Sequence, residues 1–354
     1  MAFINPYASG VTNTIDGIPY IWTSNFTNIF ETVSYSSTIY NGGTAVAAGS
    51  GKIISGKPMV YMYGTYATGL GNYIYNSGST TPSFASGCGV IVIGAPTSTA
   101  YIYGTNGTLI KTIANPGSNN YFGGVVAVGN NRIAISGAGY NSYVGQVFLY
   151  DVSGNYIKTI NSPSGLTGTT FGNSVSIANG VICIGSLNNN IVCLYDLNGN
   201  LIKQLSVPIG ASQFGSGVSI GSGRIVIGAQ SGLTFFGGTS YGSAYVYDLN
   251  GNLIKTLYPP LSNLPFYGSR VSVGSGKIAV ASLSGTTAGT VLLYDLDGNL
   301  IQFVTSPSSA SGDYFGNGLA FYLGNFVVAS NTGTYIYTTQ QVITPYDAIE
   351  LTYG

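Results

Sequence analysis

Apolar residues along this chain fall in short runs of three to five, most of them ended by Gly or Asp. The stretch from Phe214 to Leu257 shows the pattern most fully, with four such runs: Val218–Ile220, Ile225–Ile227, Ala244–Tyr247 and Leu253–Leu257. Their alternation and β-branched content predict strands, and the glycine-rich breaks between them predict tight turns. Asn250-Gly251 separates the last two runs and suggests a two-residue type I′ hairpin, where both central positions need positive φ. One unit is therefore a four-stranded antiparallel meander of about 45 residues.

The unit recurs. An aromatic-Gly pair opens it at Phe122-Gly123, Phe171-Gly172, Phe214-Gly215, Tyr267-Gly268 and Phe315-Gly316. The fourth run recurs as Leu109-Ile110-Lys111, Tyr156-Ile157-Lys158, Leu201-Ile202-Lys203, Leu253-Ile254-Lys255 and Leu300-Ile301-Gln302. Weaker copies open near Tyr40 and Thr80, which gives seven openings, near residues 40, 80, 122, 171, 214, 267 and 315. A meander this small buries its faces only against neighbours, and a closed ring removes most exposed edges. The expected fold is all-β: a seven-bladed β-propeller of four-stranded antiparallel blades, closed by an N-terminal strand.

The expected organisation is an arm over residues 1–17, the propeller over 18–344 and a tail over 345–354. Residues 18–39 read as a closure hairpin, with Tyr20–Trp22 matching the third strand of a blade and Asn28–Val33 the fourth. The last copy has a poor fourth run at Gln341–Ile343, so Ile29–Val33 is expected to pair onto it and latch the ring. The stretches of variable length, Ala138–Val144, Gln230–Gly242, Tyr258–Pro265 and Ser306–Tyr314, should all lie on one face.

A Phe-Gly opening followed by a glycine-ended strand such as Val90–Pro96 (VIVIGAP) resembles the FG-GAP repeat of integrin-α-type propellers. The resemblance covers residues about 40–344 and implies a seven-bladed ring used in adhesion and recognition. Many members of that family bind calcium through an acidic first-to-second turn. The corresponding turns here, such as Gly49-Ser50-Gly51 and Gly221-Ser222-Gly223, carry no acid, so that metal function is not expected. Asp248-Leu249-Asn250-Gly251-Asn252 has acid-like spacing, but the position where an EF-hand needs Glu is Pro259.

Composition narrows the function. The chain has 53 Gly, 29 Tyr, no His, 6% charged residues and a net charge of zero. No basic surface is available to follow a phosphate backbone, so a nucleic-acid partner is not expected. Without His there is no Ser-His-Asp triad. Twelve of the twenty charged residues recur once per unit and read as scaffold, and Asp313 has no evident carboxylate partner for glycosidic chemistry. No enzyme activity, cofactor or metal is expected.

Cys183 and Cys193 are expected on neighbouring strands, opposite each other across a turn at Asn188-Asn189; two buried thiols are the simpler reading, a cross-strand disulfide the other. The binding candidates are aromatic and apolar residues in the variable stretches: Tyr140, Tyr143, Leu233, Phe235, Phe236 and Tyr241.

The start of the chain lacks a basic and apolar leader pattern, and no apolar run approaches bilayer length, so membrane insertion is not expected. The expected role is a non-enzymatic virion structural or host-attachment protein, made in a host cytoplasm. It would act as a rigid scaffold bound to other assembly proteins, with a host-surface glycan or receptor as a further partner. The alternative is a cellular adhesion or carbohydrate-binding propeller at the cell surface or outside the cell.

Overall fold

The computed structural model describes residues 12–15, 18–21, 30–39, 46–55, 59–64, 72–76, 82–95, 99–117, 121–137, 145–163, 170–235, 239–261, 264–283, 288–308 and 310–342. Seven four-stranded antiparallel sheets account for nearly all of them. Six run in chain order, and their first strands are Val46–Gly49, Ser83–Gly87, Phe122–Gly129, Phe171–Ala178, Ser212–Gly221 and Tyr267–Gly274. We number these blades 1 to 6. Blade 7 takes Gly318–Tyr322, Asn325–Ala329 and Thr334–Val342 from the C-terminal side and its fourth strand, Phe30–Ile39, from the N-terminal side. Each first strand neighbours the next, and that of blade 7 returns to that of blade 1, so the sheets close into a seven-bladed β-propeller.

The core lies between blades. One apolar cluster sits at each of the seven interfaces; Leu149 and Ala134 of blade 3, for example, pack with Ile184 and Val175 of blade 4. Second strands such as Val90–Ala95 and Val181–Ser186 are buried along their whole length, because both faces meet a neighbouring blade. The five recurrent aromatics Phe122, Phe171, Phe214, Tyr267 and Phe315 are wholly buried. The glycine after each has positive φ, as with Gly268 at 83°. A Cβ on Gly268 would run into the carbonyl oxygen of Ser243 in the preceding blade, so the motif joins blades as well as opening them.

The N-terminal closure involves ten residues, Phe30–Ile39, rather than the five expected, and Val342 continues the third strand of blade 7. In a separate compact unit, Ile18–Ile21 pairs with Thr12–Ile15, while Phe30–Ile39 belongs to the sheet of blade 7. The dipeptide between those two strands is Asp16-Gly17, itself a strong two-residue hairpin signal.

Turn chemistry also differs from expectation. The two-residue loops with both residues at positive φ are the first-to-second turns, for example Ser222 at 48° and Gly223 at 74°. At the third-to-fourth turns only the glycine is left-handed. There Gly251 N donates to Asp248 O at 3.1 Å, and Asp248 Oδ1 accepts from the backbone N–H groups of Asn250 and Asn252 at 2.9 and 2.8 Å. The aspartate side chain thus stabilises a type I turn followed by a left-handed glycine.

The first-to-second turns are tied to one another around the ring. Gly89 N donates to Ser50 Oγ at 3.0 Å, Gly180 N to Asn130 Oδ1 at 3.1 Å, and Gly276 N to Ser222 Oγ at 3.2 Å. In blade 7 the equivalent residue is Leu323, which cannot accept; the Tyr322 hydroxyl instead receives Gly51 N at 2.9 Å.

Blade 4 corrects the cysteine geometry. Its second-to-third loop is a 3-10 turn over Leu187–Asn189 with left-handed Asn190, which sets Ser186 opposite Ile191. Cys183 therefore pairs with Leu194, and Cys193 with Ile184. The register is one residue from that expected, and a one-residue slip moves a side chain to the other face. Cys193 faces blade 3 and Cys183 faces blade 5; both are buried free thiols.

Candidate functional site

The recurrent ionisable residues join blades. Lys111 Nζ donates to Gly154 O at 2.8 Å, Lys158 Nζ to Gly199 O at 3.0 Å, and Lys203 Nζ to Gly251 O at 2.8 Å. Each lysine thus reaches from the fourth strand of one blade to the last hairpin of the next. Arg132 Nε and Arg224 Nε donate in the same way to Leu197 O and Leu296 O at 2.9 and 3.1 Å. The hairpin aspartates are occupied too. Hydrogen bonds from Asn155, Asn200 and Asn252, backbone first and then side chain, hold Asp151, Asp196 and Asp248 below the usual carboxylate range.

Asp313 lies just before the aromatic-Gly of blade 7 and is 1% exposed. Its Oδ2 accepts from Ser306 Oγ at 2.6 Å and Ser308 Oγ at 3.0 Å, and its Oδ1 from Thr332 Oγ1 at 2.6 Å and Thr332 N at 3.1 Å. Burial by itself raises the pKa of this carboxyl, but the hydroxyl donors outweigh it and leave the group lowered. The arrangement clamps the end of blade 6 to the second-to-third loop of blade 7. Among the described residues, no group of three or more His, Cys, Asp or Glu is placed to hold a metal.

Of the sequence-derived binding residues, Leu233, Phe235 and Tyr241 lie on one hairpin of blade 5. Tyr140, Tyr143 and Phe236 lie outside the described residues. Leu233 and Phe235 stand on the second strand of blade 5, Arg224–Phe235, which continues as a hairpin with Thr239–Tyr247 where a loop was expected. Tyr241 sits opposite Leu233 and is buried at 4% exposure, so its ring is a packing element.

The structure reveals a different set on the same face. The residue before the buried aromatic is left-handed in three blades: Gln213 at 59°, Phe266 at 50° and Tyr314 at 51°. It opens the turn that creates the motif, with Ser269 N donating to Phe266 O and Asn317 N to Tyr314 O, both at 3.0 Å. Tyr121 and Thr170 close the same turn in blades 3 and 4 without positive φ, so the left-handed backbone is particular to blades 5, 6 and 7, and Gly or Asn adopts it most cheaply. Blades 6 and 7 nonetheless carry bulky aromatics there, 55% and 39% exposed. Tyr258 and Leu261, also exposed, lie on the same blade 5-to-6 connection as Phe266. The sequence signal was present, since an aromatic precedes the aromatic-Gly pair at Tyr121, Phe266 and Tyr314, but only the φ angles separate it from core patterning.

A second exposed apolar set lies on the fourth strands. Leu109-Ile110, Leu201-Ile202 and Leu253-Ile254 are exposed by 42% to 55%, and Tyr156 and Leu300 repeat the first position in blades 3 and 6. Each of these five strands has a register shift at the same place. Leu201 pairs with Tyr195 and Lys203 with Leu194, which leaves Ile202 as the extra residue.

No protein-family model and no curated protein matches the chain. Among solved structures it is similar to a computationally designed protein, Ika8, in its crystal structure; the TM-score is 0.54 at 12% identity, over 86% of this chain and 98% of that one. At that identity the likeness extends to the fold alone, and the chain is a β-propeller on its own strand topology.

Proposed function

We propose that this chain is a non-enzymatic interaction scaffold of a virus particle, as a structural or host-attachment component. The observation that carries the reading is the pair Phe266 and Tyr314, exposed rings held in a costly backbone conformation on successive blades. Strain kept at an exposed position points to use of the side chain, since the scaffold alone would favour Gly or Asn. Rigid aromatics give large contact area at low ordering cost, which suits recognition. The resemblance of the aromatic-Gly and glycine-ended strands to FG-GAP propellers supports adhesion or recognition as the role. The charge-poor composition supports a durable assembly part; 6% of residues are charged.

The test separates ring loss from fold loss. Phe266→Asn with Tyr314→Asn keeps residues that tolerate positive φ and removes both rings. The variant should fold and incorporate normally but lose attachment. Mass spectrometry of purified particles should find the wild-type chain at fixed stoichiometry. Absence from particles, together with binding on a glycan array that the variant loses, would instead establish the adhesion or carbohydrate-binding reading.

A further inference from the structure

We infer that the outer edge of the ring is a self-association surface, through which copies of this chain pack side by side in an open-ended array. The inference deepens the assembly reading above but rests on other side chains.

In blades 2 to 6 the fourth strand supplies one buried apolar residue near its end: Ile113, Ile160, Leu205, Leu257 or Val304, all 3% to 6% exposed. That position satisfies the interface with the neighbouring blade. The Leu-Ile pair four to three residues earlier is therefore surplus to the core, yet it recurs and stays exposed. Solvent-facing strand positions ordinarily carry polar residues, so apolar pairs on successive blades mark a contact surface.

The mode of contact follows from the bulge. An unbroken edge strand could accept another strand, but a bulge interrupts the ladder and increases the local twist. The extra residue, such as Ile202 or Ile254, falls within the apolar pair itself. Contact is thus by side chains rather than by strand addition.

The occupant follows from charge and area. Lys111, Lys158 and Lys203 beside the stripes are already bonded to the next hairpin, and Asp151, Asp196 and Asp248 to their own turns. The chain has ten basic and ten acidic residues, so copies do not repel one another. A stripe with its neighbouring charges tied down fits an apolar counterpart, which a second copy supplies. Two adjacent stripes expose on the order of 200–400 Å² of apolar surface, taking roughly half of each side chain. A standard interface needs about 450 Å² of apolar surface per partner. One contact is therefore weak, but the stripes repeat around the ring, so many weak contacts act together. Stripes on several blades also allow contacts that do not close into a dimer.

Sedimentation velocity of the full chain over a concentration series tests this. The weight-average mass should climb without a dimer plateau and climb further in ammonium sulfate, which strengthens apolar contact. The variant Leu201→Thr/Ile202→Thr/Leu253→Thr/Ile254→Thr, retaining its β-sheet circular dichroism, should need about tenfold more protein for the same mass. If that variant fails to fold, Ile202→Thr/Ile254→Thr replaces it, with a smaller shift in the same direction. The Phe266→Asn/Tyr314→Asn variant should associate like wild type, which keeps failure of the loop-face reading distinct from failure of this one. A wild type that stays monomeric throughout, or an association unchanged in the folded rim variants, would overturn the inference.

Discussion

Removing the buried carboxylate of Asp313 should weaken the ring where its last blade is joined. Asp313→Ala deletes an acceptor that takes four hydrogen bonds, from Ser306, Ser308 and both the hydroxyl and backbone N–H of Thr332. Bonds to a charged acceptor are worth about 1.5–3 kcal/mol each, but the full sum does not apply. Ser306 Oγ also meets Ser308 Oγ at 2.9 Å, and Thr332 Oγ1 meets Tyr335 OH at 2.9 Å, so the hydroxyls have other partners. Thr332 N likewise reaches Ser330 Oγ at 3.1 Å. A net loss of about 3–4 kcal/mol is expected for Asp313→Ala, in the range for disrupting a buried polar network. Asp313→Asn keeps the shape and one acceptor while the serine hydroxyls turn to accept, and should lose about 1–2 kcal/mol. Urea denaturation should therefore rank wild type, Asn and Ala in falling order of midpoint. The pH dependence has a definite sign. The folded carboxyl is lowered, so its contribution is fully present above the ordinary carboxylate pKa and disappears as pH falls through the folded value. The wild-type-to-Asn gap should be flat at neutral pH and narrow only in strong acid. A gap that is absent at neutral pH, or that persists unchanged into strong acid, would refute the clamp.

Two further substitutions separate left-handed strain from backbone collision. Gly276→Ala has no heavy atom within 4 Å of the new Cβ and should cost about 1–2 kcal/mol from its positive φ alone. Gly268→Ala should cost well over 3 kcal/mol, because its Cβ meets the Ser243 carbonyl; comparable thermal shifts for the two would contradict the interblade role of the motif. Thiol titration with an aromatic disulfide should find one reactive cysteine, Cys88, in the native chain and three after unfolding. Burial pushes Cys193 up to about 11 and Cys183 higher still, and prompt reaction of either in the folded chain would show that it is not enclosed between blades.

The repeat, the blade number and the ring closure were legible because periodicity and turn residues are local properties copied five times or more. Closure by an N-terminal strand could be inferred from one unit lacking a good fourth run. The lysines and hairpin aspartates were recognised as scaffold from their recurrence, although not what they touch. Local pattern could not supply register: Cys183 and Cys193 look opposed until a four-residue loop shifts the pairing by one and sends them to different faces. Nor could it separate a buried aromatic from a displayed one: Tyr241, within one variable stretch, is buried, while Phe266, directly after another, is exposed. Exposure of the Leu-Ile pairs was hidden for the same reason, because apolar residues in a strand-length run read as core. The sequence by itself determined which segments become strands and how many blades they form. The tertiary structure alone decided which side chains face another blade, because burial in a propeller depends on a neighbour some 45 residues away, and no local pattern encodes that distance.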